Sequence, residues 1–224
     1  MFFLTHDKRL ILKTTDDEEA KLFISILEDY SLHFRSNPES QIARIFGLFE
    51  LKFQEVGGRN IKIFVMEAIG PSEQDAILRK YDLKGSSHDR QVERSYKSLN
   101  PDSKIDKILK DIDFQNIENN FEIDLSLKKR ILNSISKDVQ FFGKHDIIDY
   151  SLIVIVADAS KLPEDYTTIE KSIGNYRMIP HSTNPNLLYF IGIIDYFQLY
   201  TMKKRLERFY KRIRKCNCGL DTSS

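Results

Sequence analysis

The chain has 224 residues with 41% hydrophobic and 11% aromatic content, enough to bury one sizeable core, so disorder throughout is excluded. Its formal net charge of +1 argues against a generally basic nucleic-acid binder, and two neighbouring cysteines, Cys216 and Cys218, supply neither a disulfide framework nor a four-ligand zinc site. No apolar stretch approaches the length of a membrane span and no secretory signal pattern opens the chain, which predicts a soluble or peripheral cytoplasmic protein.

In chain order, residues 2–13 predict strands joined by a turn at His6–Arg9. A helix follows over 16–35, where Thr15 and Glu18 suit a capping box and Phe23, Ile26, Leu27, Tyr30 and Phe34 recur at helical spacing. Two strands, "IFGLFELKF" and "IKIFVMEAI", flank the Gly57-Gly58 turn and complete a five-strand-like unit crossed by one helix. A second long helix is predicted at about 125–144, with Leu127, Ile131, Ile135, Val139 and Phe142 as its buried stripe. The polar, proline-containing segment 158–186 reads as a long surface excursion whose Tyr166, Ile169 and Tyr176 can pack locally. A last helix is expected over 196–214, with Leu199, Met202, Leu206, Phe209 and Ile213 on one face. Between Lys203 and Lys215 it carries eight Lys or Arg residues against a single acid, Glu207.

The chemistry concentrates at a few charged residues set against apolar runs. Asp149 in "IIDYSLIVIV" and Asp195 in "YFIGIIDYF" stand at strand edges, where a carboxylate is costly unless cations accompany it; the pair suggests a metal and phosphate centre. Each alone is also what a strand-ending turn would use. "YDLKGSSHDR" offers a Gly-Ser turn with Lys84 and Arg90 to an anionic group, although Arg90 is equally a solvated loop residue. Lys13 closes the apolar strand "RLILK", one position where a kinase needs a lysine to hold nucleotide phosphates. Asp111 and Asp113 in "LKDIDF" suit a turn before a helix and are given no catalytic step.

In this order, "FFLTHDKRLILKTT", "ARIFGLFELK", "YDLKGS", "LKDIDF", "DYSLIV" and "IGIIDYFQLYTMKKRLE" resemble the phosphatidylinositol phosphate kinase family over most of residues 2–215. The resemblance implies an α+β, two-lobed phosphatidylinositol phosphate kinase / SAICAR synthase-like fold, with antiparallel sheets and packed helices. Its N-terminal lobe would take about residues 1–68 and its C-terminal lobe 69–215, leaving a polar tail at 216–224. It implies ATP and Mg2+ as cofactors, with Lys13, Glu19, Val65 and Met66 binding nucleotide and Asp195 holding the metal; Glu19 matches the family's acid and would pair with Lys13, with Glu18 one position earlier as the alternative partner. Asp149 would accept or orient the attacking inositol hydroxyl, and Lys84 would neutralise phosphate nearby. Arg90, Lys203 and Lys204 would meet a phosphoinositide substrate or an anionic membrane surface. The protein-kinase His-Arg-Asp loop does not occur, and Val154 stands five beyond Asp149 where that loop has a metal-binding asparagine.

Two departures accompany the resemblance. The chain begins inside or just after the family's Gly- and Ser-rich phosphate loop, and it stops before the activation loop that selects the headgroup, so the core is expected to be truncated at both ends. The expected activity is ATP-dependent phosphorylation of a phosphatidylinositol monophosphate on the cytosolic face of a membrane. The alternatives are a non-catalytic phosphoinositide-binding scaffold and a soluble inositol phosphate kinase. The family's tendency to dimerise makes a homo-oligomer an expectation that maps onto no residue.

Overall fold

A computed structural model describes residues 1–52, 60–92, 104–163, 166 and 177–199. Strands β1 (Phe2–Leu4), β2 (Leu10–Thr15), β3 (Ile45–Leu51) and β4 (Ile61–Glu67) form an antiparallel sheet in the order β1-β2-β4-β3. Helix α1 (Asp17–Ser36) crosses it. Its N-cap is Asp16, whose side chain accepts from the Glu19 N–H at 2.8 Å, in place of the expected Thr15–Glu18 box. Three acids in the first turn and His33 with Arg35 in the last complement the helix dipole, and Pro38 disfavours continuation past Asn37. Phe23, Ile26 and Tyr30 are buried at the predicted spacing, whereas Leu27 lies one face round and is exposed. The predicted five strands are four among the described residues, because the first segment yields only the hairpin β1–β2.

The second sheet has the order β6-β5-β8-β10-β9, built from β5 (Ile77–Leu83), β6 (Ile108–Leu109), β8 (Ser151–Asp158), β9 (Met178–Pro180) and β10 (Leu187–Ile194). All its neighbours are antiparallel except β5 and β6. The continuous apolar run of β8 has a simple cause: both faces are covered. Val154 and Val156 pack with Phe114 of helix α2 (Asp111–Ile117) and Ile131 of helix α3 (Leu125–Lys144), while Ile155 and Ala157 pack with Tyr166 and Met178 on the other side. Each such aliphatic side chain contributes about 1.5–3 kcal/mol when fully buried. A small pair, β7 (Ile147–Ile148) with β11 (Gln198–Leu199), continues beside this sheet.

Helix α3 spans the predicted residues and starts at Asp124, whose carboxylate accepts from the N–H groups of Ser126 and Leu127. Its buried face is more polar than expected: Asp138 is fully buried, and Val139 is exposed. Asp138 Oδ1 lies 2.7 Å from His33 Nε2 and accepts from Asn37 Nδ2 at 3.0 Å, while Oδ2 accepts from the Gln41 N–H at 2.8 Å. One carboxyl group thus fastens the end of α1 to α3 with both of its buried oxygens hydrogen-bonded.

Two expectations are corrected. Met178–Pro180, expected within a surface excursion, is an edge strand with Ile179 buried, because its backbone completes the ladder of β10. Gln198–Leu199 is a strand paired with β7, so no helix begins at residue 196. The remainder of the expected basic helix, including Lys203 and Lys204, lies outside the described residues, as do Ile169, Tyr176 and the Gly57-Gly58 turn.

Candidate active site

Asp149 and Asp195 meet at one end of the second sheet because of strand register. Ser151 pairs with Ile194 and Ile148 pairs with Gln198, so residues 149–150 lie opposite 195–197 in a gap between two ladders. Both aspartates adopt left-handed backbone conformations, with φ of 62° and 57°. Among non-glycine residues, Asp and Asn enter this region most readily. The residues after Asp195 turn inward: Tyr196 and Phe197 are buried, and the Tyr196 hydroxyl donates to the Ala43 carbonyl at 2.6 Å. Burial pushes the Tyr196 phenol well above its ordinary pKa, which keeps this donor protonated.

The first sheet supplies the cation. Lys13 pairs across the ladder with Phe64, whose side chain belongs to the core under α1, so the lysine projects on the helix side. Its Nζ lies 3.4 Å from Asp195 Oδ1 and 3.9 Å from Glu19 Oε1. Glu19 is in turn held by the Thr15 hydroxyl, which donates to Oε2 at 2.6 Å. Glu18 is exposed, which leaves Glu19 as the partner from α1. The Lys13 side chain is 15% exposed and that of Asp195 47%, so the ammonium is sheltered while the carboxylate retains access to solvent.

On the other flank, Lys84 Nζ donates to the Asp149 carbonyl at 3.4 Å. Beside Lys84 a mostly apolar cavity of about 420 Å³ runs between the second sheet, α2 and α3, touching Asp111, Phe114, Ile135 and Tyr150. Val65 is half-buried and Met66 is buried in the core of the first sheet, both on β4. Among the described residues no group of three metal-ligating side chains occurs.

The turn carrying Lys84 departs from expectation. Its backbone donors, expected to face an external anion, point at Asp111: Oδ1 accepts from the N–H groups of Lys84 at 3.0 Å and Gly85 at 2.8 Å. Arg90 is an internal residue too, with Nε donating to Asp111 Oδ2 at 2.7 Å and Nη2 to the Asp82 carbonyl. Burial alone raises the Asp111 pKa, but Arg90 and the Lys84 and Gly85 amides outweigh it and hold the carboxyl below its ordinary 3.8. Because the folded pKa is the lower one, the stabilisation is complete above the unfolded value and disappears as pH falls through the folded value. Unfolding free energies measured between about pH 2 and 5 are expected to fall more steeply for the parent than for Asp111→Asn. Parallel curves would contradict this account of the turn.

A second pair escaped sequence reasoning. Arg177, buried beside β9, grips Glu67 at the end of β4 with two hydrogen bonds of 2.8 Å and donates to the Gln41 carbonyl at 2.6 Å. The available signal was Glu67 itself, an acid closing the apolar strand "IKIFVM".

A family model described as phosphatidylinositol-4-phosphate 5-kinase matches residues 1–176 and 164–223, and the chain belongs to that family. Among its relatives, a probable phosphatidylinositol phosphate kinase of Dictyostelium discoideum is 34% identical over 155 positions, covering 69% of this chain and 20% of that protein. Mouse phosphatidylinositol 4-phosphate 5-kinase-like protein 1 is 28% identical across 100% of this chain and 60% of its own length. Mouse phosphatidylinositol 4-phosphate 5-kinase type-1 beta is 27% identical over 95% of this chain and 45% of its own length. The chain therefore spans from a fifth to three fifths of the length of these relatives. No helix among the described residues is long and apolar enough to cross a membrane.

Proposed function

We propose that this chain is a phosphatidylinositol phosphate kinase catalytic core that transfers the γ-phosphate of ATP to a hydroxyl of a phosphatidylinositol monophosphate at a membrane surface. The observation that carries the reading is the Glu19–Lys13–Asp195 chain of charges, which joins α1, the first sheet and the second sheet beside Asp149. It fits a two-lobed, SAICAR synthase-like arrangement with lobes at about 1–68 and 69–215, in which nucleotide binds between the sheets near Val65 and Met66.

In this reading Glu19 orients Lys13, whose ammonium holds nucleotide phosphates. Asp149 accepts the proton of the inositol hydroxyl as its oxygen bonds to the γ-phosphorus and the bond to the β,γ-bridging oxygen breaks, releasing ADP. Lys84 offsets phosphate charge on the far side of Asp149. The donor set also fits Mg2+, which is commonly held by one or two carboxylates together with substrate phosphates; Asp195, half-exposed, is the residue to hold it. Bound there, the ion would neutralise charge on the transferred group. Lys203 and Lys204 would add attraction to anionic lipid at about 1 kcal/mol each, placing the protein peripherally on a cytosolic face.

The test is transfer of labelled phosphate from ATP with magnesium to vesicles carrying phosphatidylinositol or each of its monophosphates, beside soluble inositol phosphates. Transfer to a monophosphate vesicle is expected. Activity confined to soluble headgroups would identify a soluble inositol phosphate kinase, and vesicle binding without transfer would identify a binding module.

A further inference from the structure

We propose that Asp111 is a positioning residue for the transfer reaction, acting on Lys84 through the backbone of the turn that carries it. The inference rests on the kinase reading above and assigns a task to a residue that touches neither aspartate of the centre. A lysine ammonium sits on a flexible stem, so where it acts depends on how firmly its backbone is held. The Lys84 backbone is held from below. Asp111 Oδ1 accepts from three successive amides, Lys84, Gly85 and Ser86, the last at 3.4 Å, and Gly85 takes φ 64° to bring them onto one atom.

The returning limb of the same loop is anchored to the same helix. Asp113, fully buried, accepts from the Val92 N–H at 2.9 Å, and the Ile112 N–H donates to the Arg90 carbonyl at 3.0 Å. Arg90 Nε closes the arrangement on Asp111 Oδ2. Both limbs of the loop are thereby tied to the first turn of α2, which packs on the second sheet through Phe114 and Tyr81. The arrangement has an electrostatic consequence. Arg90 is occupied by two carboxylates, Asp111 at 2.7 Å and Asp82 at 3.5 Å, so the Lys84 ammonium is the cation this turn presents at the Asp149 carbonyl. The nest of amides, filled by Asp111, aims that lysine and leaves no vacancy for a phosphate.

Asp111→Asn keeps the side-chain shape, removes the charge and presents an amide to Arg90. It is expected to lower kcat about tenfold to a hundredfold, the scale of a small misplacement of a reacting group, with KM for ATP unchanged. Acting through Lys84, it should add nothing to Lys84→Ala: the double variant should match that single variant within about twofold. Losses that multiply in the double variant, or parental kcat in Asp111→Asn, would overturn the proposal. Should Asp111→Asn fail to fold, Arg90→Lys, which keeps the charge and loses the Nε donor, enters the same cycle with the same expectations. If the parent transfers phosphate to no vesicle, the kinase reading is what fails. Amide exchange then tests the turn by itself: protection of Lys84 and Gly85 in the parent that Asp111→Asn abolishes shows Asp111 holding the Lys84 backbone, and equal exchange in both overturns the proposal.

Discussion

Asp149→Asn is expected to lower phosphate transfer by on the order of 10²–10⁴-fold, the range for losing a positioned general base. The substitution is well suited to this site. Asn shares the tolerance of Asp for the left-handed region that residue 149 occupies, φ 62°, so the variant removes the charge and proton-accepting ability without straining the turn. Asp149→Ala would add roughly 1–2 kcal/mol of backbone strain to the chemical loss and confuse the two. Initial rates on monophosphate vesicles, read beside thermal unfolding curves, separate activity from folding. An Asn variant within threefold of the parent would remove Asp149 from the proton-transfer role.

Arg177→Met should produce the largest loss of stability, about 3–5 kcal/mol, the cost of leaving one member of a buried ion pair without the other. Arg177 is 4% exposed, and its guanidinium meets both carboxylate oxygens of Glu67 and the carbonyls of Gln41 and Ile42. Gln41 and Ile42 belong to the stretch leaving α1, where the Gln41 carbonyl also accepts from the Ile193 N–H at 2.6 Å. The arginine therefore ties the end of β4 and the exit of α1 to β10, two residues before Asp195. Arg177→Lys lacks the planar fork and should recover little of the loss. Urea unfolding would measure both. A loss below about 1 kcal/mol for Arg177→Met would mean that the junction is held by apolar packing.

How much of this was legible beforehand depended on the range of the interaction. Helix α3 was readable at about 125–144 because an apolar period is a local signal, while its Asp124 cap was not read beforehand. Lys13 and Glu19 were named as a pair through the family resemblance, and helix phase, which sequence fixes only to within a residue, left Glu18 as the alternative. The gap that unites Asp149 with Asp195 was only half visible: each stands beside an apolar run, but their meeting depends on the pairing of β8 with β10 and β7 with β11. A two-residue strand such as β11 has no period to detect, so the amphipathic pattern around it read as helix. The approach of Lys13 to Asp195, 182 positions apart, and of Arg177 to Glu67, 110 apart, are tertiary facts, and Glu67 at its strand end was the one local sign of the second. Asp111 shows a subtler limit. Its place before a helix was legible, but the occupant of the Gly-Ser turn was taken to be an outside anion because a nest of amides looks the same whichever carboxylate or phosphate fills it.

The central claim is that the two sheets bring a nucleotide-holding lysine and a pair of aspartates together for phosphate transfer to an inositol lipid. Its most direct test measures transfer of labelled phosphate from ATP with magnesium to monophosphate vesicles, by the parent and by Asp195→Asn. Asn tolerates the φ of 57° at this position, keeps the side-chain shape and removes the charge that faces Lys13. Transfer by the parent that falls to background in Asp195→Asn, with vesicle binding unchanged, is the result predicted. Equal transfer by both, or none by either while vesicles are still bound, would contradict it.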